Sequence, residues 1–302
     1  MNKPVLAPVV LDLDGSVGPL PGELRLALAS DWQEAVRFGC SLARLRHFAA
    51  ELQSRLPVFT EHGTVFTGSG DFHHLSWPLI ERCVAARRYT SQHPLRVLVL
   101  DNHPDNMRFP LGVHCGSWVR RVAMLPQVSH VHVVGITSRD IGLGHAWENY
   151  LAPLRAGRLT YWSVGVKTGW ARWLGLQQQF RCFPDADALT SAVSHMLSTN
   201  SQPTYLSIDK DVFDPSVVRT NWDQGVLQAP QVFAMMSALR GQLAGSDVTG
   251  DVSAYRYRTA WKRCLSAGDG QQTAEVDAAL PDWQRTQATF NQALLRQLEK
   301  AV

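Results

Sequence analysis

Two stretches of the chain set acids and a histidine at offsets of two directly after apolar runs. In RVLVLDNHPDNM the run is followed by Asp101, His103 and Asp105, and in TYLSIDKDVFDP by Asp209 and Asp211, with Asp214 and Pro215 as a turn beyond. Side chains two positions apart on a strand leave on the same side. Asp101 and His103 therefore share one side of a strand end, Asp105 stands just past it in a loop that Pro104 helps to shape, and Asp209 and Asp211 repeat the design. If the two strand ends are neighbours, four carboxylates and a histidine meet in one small volume. Mutual repulsion forbids that arrangement unless cations intervene, and two bound divalent metals are the natural remedy.

A third stretch, TVFTGSGDFHHLSW, passes from an apolar strand through Gly68, Gly70 and Asp71 to His73 and His74. Glycine permits a tight strand-to-helix turn, and one of the two histidines could point into the same crevice. Asp and His at strand ends also serve as helix caps and turn formers. Caps, however, do not require acids in i, i+2 pairs after two separate apolar strands. His114, in LGVHCGSW, is a lone histidine, and His47, His93 and His145 read as surface or structural residues.

The elements that must carry these residues are short runs rich in Val, Ile and Leu: 9–13, 65–67, 95–101, 131–136, 159–164, 204–209 and 248–252. Continuous apolar strands of this kind suit a parallel sheet buried on both faces. Helical spacing lies between them, from Asp31 to Leu52 and from Asp282 to Leu298 among others. Alternation of strand and helix along the whole chain predicts one α/β domain over residues 1–302, a three-layer α/β/α sandwich with right-handed crossovers. Functional groups of such sheets collect beyond the carboxyl ends of the strands, where the acids and histidines fall. Residues 257–282 are the least patterned and are expected to be a long loop.

Composition narrows the function. With 302 residues, 45% of them hydrophobic, the chain can bury a large core. The net charge of +3 comes from scattered Lys and Arg, without the basic footprint of a nucleic-acid binder, so the expected partner is a small-molecule substrate. Five widely spaced cysteines, none in a C-x-x-C pair, argue against a disulfide framework or a thiolate zinc site and fit a reducing compartment. No run approaches the ~20 apolar residues needed to span a bilayer, and the N-terminus does not read as a signal peptide. A soluble, cytoplasmic protein is expected.

These motifs resemble those of the ureohydrolase family, which includes arginase and agmatinase. Its S-x-D-x-D-x-x-D-P signature is matched without a gap from Ser207 to Pro215, and its D-x-H-x-D core by Asp101, His103 and Asp105, with Asn102 where the family usually has Ala. The G-G-D-H signature is approximated by Gly70-Asp71-Phe72-His73-His74, which carries an extra residue and leaves the ligand histidine open between His73 and His74. The segments HCGSWVRRV and VVGITSRD also resemble family segments, so the likeness spans residues 60–256.

The resemblance implies an arginase-like fold with a mainly parallel sheet of about eight strands, a binuclear manganese site and a trimeric or hexameric homo-oligomer. By that likeness Asp101 and Asp209 bridge both metals, His103 and Asp211 complete one site, Asp105 with His73 or His74 completes the other, and His114 is the candidate proton shuttle. A metal pair about 3.5–4 Å apart makes hydroxide available at neutral pH for attack on a linear carbon-nitrogen bond. The carboxylate and imidazole ligands would also serve nickel, cobalt or iron. Family members usually carry D-x-x-E near the last strand, the glutamate pairing with the guanidinium. If Asp251 is that motif's Asp, Ala254 replaces the glutamate and the substrate is not safely arginine or agmatine.

Two other readings compete. Asp12-Leu13-Asp14-Gly15-Ser16 after an apolar strand looks like the nucleophile motif of haloacid-dehalogenase phosphatases, with Asp12 as nucleophile and Asp209 and Asp211 as its magnesium-binding pair. That reading leaves Asp101, His103 and Asp105 unexplained. The other is a catalytically degenerate relative that only binds metal or ligand.

Overall fold

The computed structural model describes residues 6–268 and 276–302. Its strands among these residues are β1 (Val9–Asp12), β2 (Leu24–Ala27), β3 (Gly39–Cys40), β4 (Val65–Gly68), β5 (Leu95–Leu100), β6 (Val113–His114), β7 (Val128–Ile136), β8 (Leu159–Val164), β9 (Phe180–Phe183), β10 (Thr204–Asp209) and β11 (Leu243–Thr249). Nine of them form one sheet in the order β2-β1-β4-β11-β10-β5-β7-β8-β9, with every neighbouring pair parallel. The remaining two, β3 and β6, pair antiparallel to each other. The α-helices are α1 (Ser30–Val36), α2 (Leu42–Arg55), α3 (Ser76–Arg87), α4 (Val119–Ala123), α5 (Ala152–Arg155), α6 (Ala186–Thr199), α7 (Ala229–Ala238), α8 (Ala260–Gly268) and α9 (Val276–Ala301).

The continuous apolar runs are explained by two cores, one on each face of the sheet. In β5, Val97 and Val99 enter the core that holds Phe48 of α2, Leu79 of α3 and Val122 of α4. Leu98 and Leu100 enter the other, with Val193 of α6, Val232 of α7 and Leu294 of α9. A strand covered on both sides needs apolar residues in both registers, and parallel neighbours need the crossovers that these helices provide. The predicted three-layer α/β/α architecture is therefore present, with nine strands in its main sheet.

Several boundaries differ from the sequence expectation. The helix expected from Asp31 to Leu52 is two helices, α1 and α2, broken at Phe38, whose φ is 63°, and at β3. The amphipathic stripe runs through the break, so periodicity alone does not show it. Tertiary pairing does: Arg37 is buried and bound elsewhere, and Gly39 lies so close to β6 that a Cβ there would stand 2.6 Å from that of His114. The last strand is not 248–252 but Leu243–Thr249. Gly245, Ser246 and Asp247 hide its start, and Gly250, at φ 89°, ends it. Part of the expected loop at 257–282 is helical, in α8 and the start of α9, and residues 269–275 fall outside the described residues. The edge strands β2 and β9, half exposed, lack the apolar run that marks the others. No helix among the described residues is long and apolar enough to cross a membrane.

Candidate metal centre

The strand order places β4, β11, β10 and β5 side by side, so the three motif-bearing ends open on one cleft of about 770 Å³. At the end of β5, Asp101 turns back to accept the His103 N–H at 2.7 Å through Oδ1. Asp105, held in the left-handed region at φ 47°, accepts the Trp118 indole N–H at 2.6 Å. At the end of β10, Asp209 accepts the Asp211 N–H at 3.1 Å and Asp211 accepts that of Asn102 at 3.0 Å, which stitches the two strand ends together.

The histidines stand among these oxygens. His73 Nδ1 lies 2.8 Å from Asp105 Oδ2, 3.1 Å from Asp101 Oδ2 and 3.5 Å from Asp209 Oδ2. Its other nitrogen, Nε2, is 3.0 Å from Ser207 Oγ. The Ser207 hydroxyl donates to Asp247 at 2.7 Å, so its hydrogen is already used and Nε2 must be the donor to it. A neutral His73 thus points the lone pair of Nδ1 at three carboxylates. His103 repeats this arrangement. Nδ1 is 2.9 Å from Asp211 Oδ2 and 3.5 Å from Asp101 Oδ1, while Nε2 is 2.7 Å from Asp223 Oδ1.

Two sets of ligand atoms converge, His73 with Asp101 and Asp105, and Asp101 with His103 and Asp211, each set lying within 4.8 Å. Asp101 belongs to both, and its Oδ2 is buried without a hydrogen bond of its own.

The electrostatics follow from crowding. Burial raises Asp105, Asp209 and Asp211 above the usual carboxylate range, and neighbouring carboxylates push further in the same direction. Burial alone would lower the affinity of both histidines for a proton. The carboxylates outweigh it, Asp105 most for His73 and Asp211 most for His103, and raise both well above an ordinary imidazole. Positive charge is what the cluster lacks. The donor set of carboxylates and imidazole Nδ1 atoms is one that divalent transition ions accept.

The structure separates the two neighbouring histidines. His74 is fully buried but on the other side of the turn: its ring leans toward the Val36 backbone without reaching hydrogen-bond geometry, and neither nitrogen has a partner. Expected with His73 as a candidate ligand, it does not join the carboxylates. His114 does line the cleft. Its Nδ1 accepts the Gly116 N–H at 3.0 Å, which leaves the hydrogen of the neutral ring on Nε2, and burial lowers its pKa to about 4. His145, expected to be structural, is at the rim of the same cleft and bonds to Glu148 at 3.1 Å.

Behind the cluster, Arg37 is wholly buried between Asp71, at 2.6 Å, and Asp14, at 3.2 Å. Asp71 also receives the Trp222 indole N–H and the Tyr257 hydroxyl, so the first motif's acid braces the cleft wall and is not part of the cluster. Lys210, between the two acids of β10, turns to the opposite face of the sheet. It is fully buried, paired with Asp251 at 2.7 Å, and donates to Gln287 at 2.5 Å and Asn291 at 2.8 Å on α9.

Asp251 faces Lys210, and Ala254 is exposed away from the cleft. The residue at the carboxyl end of β11 is Gly250, where an added Cβ would lie 2.5 Å from Asp209 Oδ1. Asp12 is likewise away from the cluster, paired with Arg25 at 3.3 Å, while Asp14 caps its own turn through Ser16 at 2.6 Å. Sequence reasoning missed Trp118 and Asp223. Neither lies at a regular offset from the acids it meets, so no spacing rule points to them.

A parallel α/β/α sandwich with histidine-carboxylate sets at the ends of its central strands is the arrangement of arginase-fold proteins. A profile of the arginase family matches residues 39–250, and the chain belongs to that family. It is similar to an uncharacterized protein of Thermotoga maritima, 23% identical over 202 residues, a match that covers 67% of this chain and 62% of that one. Among solved structures it resembles a proclavaminate amidino hydrolase from Streptomyces clavuligerus, at 15% identity and TM-score 0.52, with 100% of this chain and 94% of the other covered. It also resembles an agmatine ureohydrolase of Thermoplasma volcanium, at 12% identity and TM-score 0.54 over 98% and 89% of the two chains. A formimidoylglutamase from Bacillus subtilis gives 13% identity and TM-score 0.52 over 97% and 86%. At these identities the likeness is one of fold.

Proposed function

We propose that this protein is a metal-dependent hydrolase that cleaves a linear carbon-nitrogen bond in a small guanidino, amidino or related substrate. It would hold two divalent ions, manganese by resemblance to the family, between the ends of β5 and β10. The observation that carries this reading is the orientation of the two histidines. His73 commits Nε2 as a donor to Ser207 and His103 turns Nε2 to Asp223, so that each ring aims Nδ1 into carboxylates 2.8–3.5 Å away. A cation satisfies that geometry. Asp101, common to both sets, and Asp209 would be shared by the two ions; His73 and Asp105 would flank one and His103 and Asp211 the other.

An ion pair held there supplies Lewis acidity and a water acidic enough to ionise near neutral pH. The chain's own groups do the rest. His114, neutral at pH 7 and lining the cleft, would serve the departing nitrogen through the hydrogen bond that its Nε2–H can donate. Ala254, standing where the family usually has its guanidinium-pairing glutamate if Asp251 is that motif's Asp, favours substrates other than arginine and agmatine. By the same resemblance the working form is a homo-oligomer of three or six chains, to be read by light scattering.

The test is metal analysis of protein purified without added ions, followed by a panel of guanidino and amide compounds scored for urea or ammonia. About two ions per chain are expected, as in other two-metal hydrolases. Asp209→Ala should release both. Full occupancy in that variant would overturn the assignment, and phosphate release from phosphomonoesters, abolished by Asp12→Asn, would favour phosphatase chemistry instead.

A further inference from the structure

We propose that Asp223 is a positioning residue for His103, and that Asn102 holds Asp223 in that task. The inference rests on the two-cation reading above and goes beyond it in assigning work to residues outside the ligand set.

Asp223 sits in the loop after β10, and its carboxylate is 63% exposed. An exposed carboxylate facing a histidine is a weak tie, because the gain is offset by side-chain entropy and solvent screening. Here the tie is reinforced. Asn102 Nδ2 donates to the Asp223 carbonyl at 3.1 Å and to its Oδ2 at 3.2 Å, which leaves Oδ1 free to accept from His103 Nε2 at 2.7 Å. Asn102 is itself fixed. It is buried, its Oδ1 accepts the Thr137 N–H at 3.0 Å and hydroxyl at 2.6 Å, and its own N–H reaches Asp211. One asparagine thus links the ends of β5, β7 and β10 and orients an acid on the far side of the ring from Asp211. An alanine at position 102 could make none of the side-chain bonds.

The consequence for His103 is physical. A carboxylate accepting from Nε2–H fixes which nitrogen carries the hydrogen, stops the ring from turning over, and makes the opposite nitrogen a better electron-pair donor. His73 has the corresponding partner in Ser207, backed by Asp247. Both rings are therefore steered from behind, one by a buried hydroxyl and the other by this surface acid.

Calorimetric titration of the metal-free full chain with Mn2+ tests this, using the wild type, Asp223→Ala, Asp223→Asn and Asn102→Ala. Thermal midpoints of the metal-free proteins are recorded alongside. The wild type is expected to bind two ions. Asp223→Ala should still bind two, with one Kd raised roughly 10–100-fold and the other unmoved. Asp223→Asn, which keeps an acceptor oxygen without the charge, should fall between, and Asn102→Ala should move the same Kd by less. The metal-free midpoint of Asp223→Ala should stay within about 2 °C of wild type, as for other exposed charges. Two wild-type affinities in Asp223→Ala would overturn the proposal and leave the two-cation reading standing. So would equal weakening of both ions together with a large drop in midpoint, since that is loss of structure. A wild type that binds no ion would overturn the two-cation reading itself.

Discussion

Replacing His74 with leucine should stabilise the protein and leave its metal content intact, whereas the same change at His73 should cost an ion. A neutral imidazole has one donor and one acceptor, and both atoms of His74 are buried without partners. Each unsatisfied group costs about 1–3 kcal/mol, so removing both relieves at least about 2 kcal/mol. Refitting an isobutyl group to a ring-shaped space returns up to about 1.5 kcal/mol. The net gain at pH 7.5 is therefore about 1 kcal/mol, which moves the midpoint of a chain this size by about 2 °C.

Acid should widen the difference. Burial lowers His74 from 6.5 to about 3, so the folded state resists a proton that the unfolded chain accepts. Stability tied to the neutral ring is complete above pH 6.5 and is lost as pH falls from there toward 3. By pH 5 the loss is about 2 kcal/mol, and the leucine variant escapes it. Urea unfolding of both proteins at pH 7.5 and pH 5, with metal analysis of each, measures all three quantities. A leucine variant that is less stable than wild type at both pH values, or that loses an ion while His73→Leu keeps both, would refute the reasoning.

Two further substitutions probe the supports of the cluster. Gly250→Ala puts a Cβ 2.5 Å from Asp209 Oδ1 and 2.7 Å from the Lys210 nitrogen at φ 89°; a side chain there is strained, so unfolding free energy should fall by about 2 kcal/mol or more and Asp209 should be displaced, seen as reduced metal content in the folded protein. Lys210→Met leaves Asp251 buried without its ion partner, a loss of about 3–5 kcal/mol, read in a urea titration. Adding Asp251→Asn to Lys210→Met should recover part of that loss.

The sheet was legible because its strands are covered on both faces. Runs such as 159–164 and 204–209 match β8 and β10 residue for residue, because strands buried on both faces stand out as short, mostly apolar runs. The D-x-H-x-D and S-x-D-x-D stretches were legible for a related reason, since their acids directly follow two apolar strands that the sheet sets side by side. His73 and His74 could not be told apart, because the 3₁₀ segment Gly70–Leu75 between β4 and α3 is buried along its whole length and carries no amphipathic pattern from which to read direction. Phe38 hid the break between α1 and α2 in the same way: the apolar stripe continues through it, while the cause, Arg37 bound between Asp14 and Asp71, lies far off in sequence. Asp223 reaches His103 across 120 positions through a loop with no pattern.

The side chain of Lys210 leaves the ridge between Asp209 and Asp211 and is gripped by Gln287 and Asn291, in the outer layer beneath the sheet. Whatever shifts α9 by an ångström pulls on the backbone that spaces those two acids. The lysine acts as a tie-rod, and amino-acid changes at Gln287 and Asn291, which are not among the cleft-lining residues, can retune the geometry inside it.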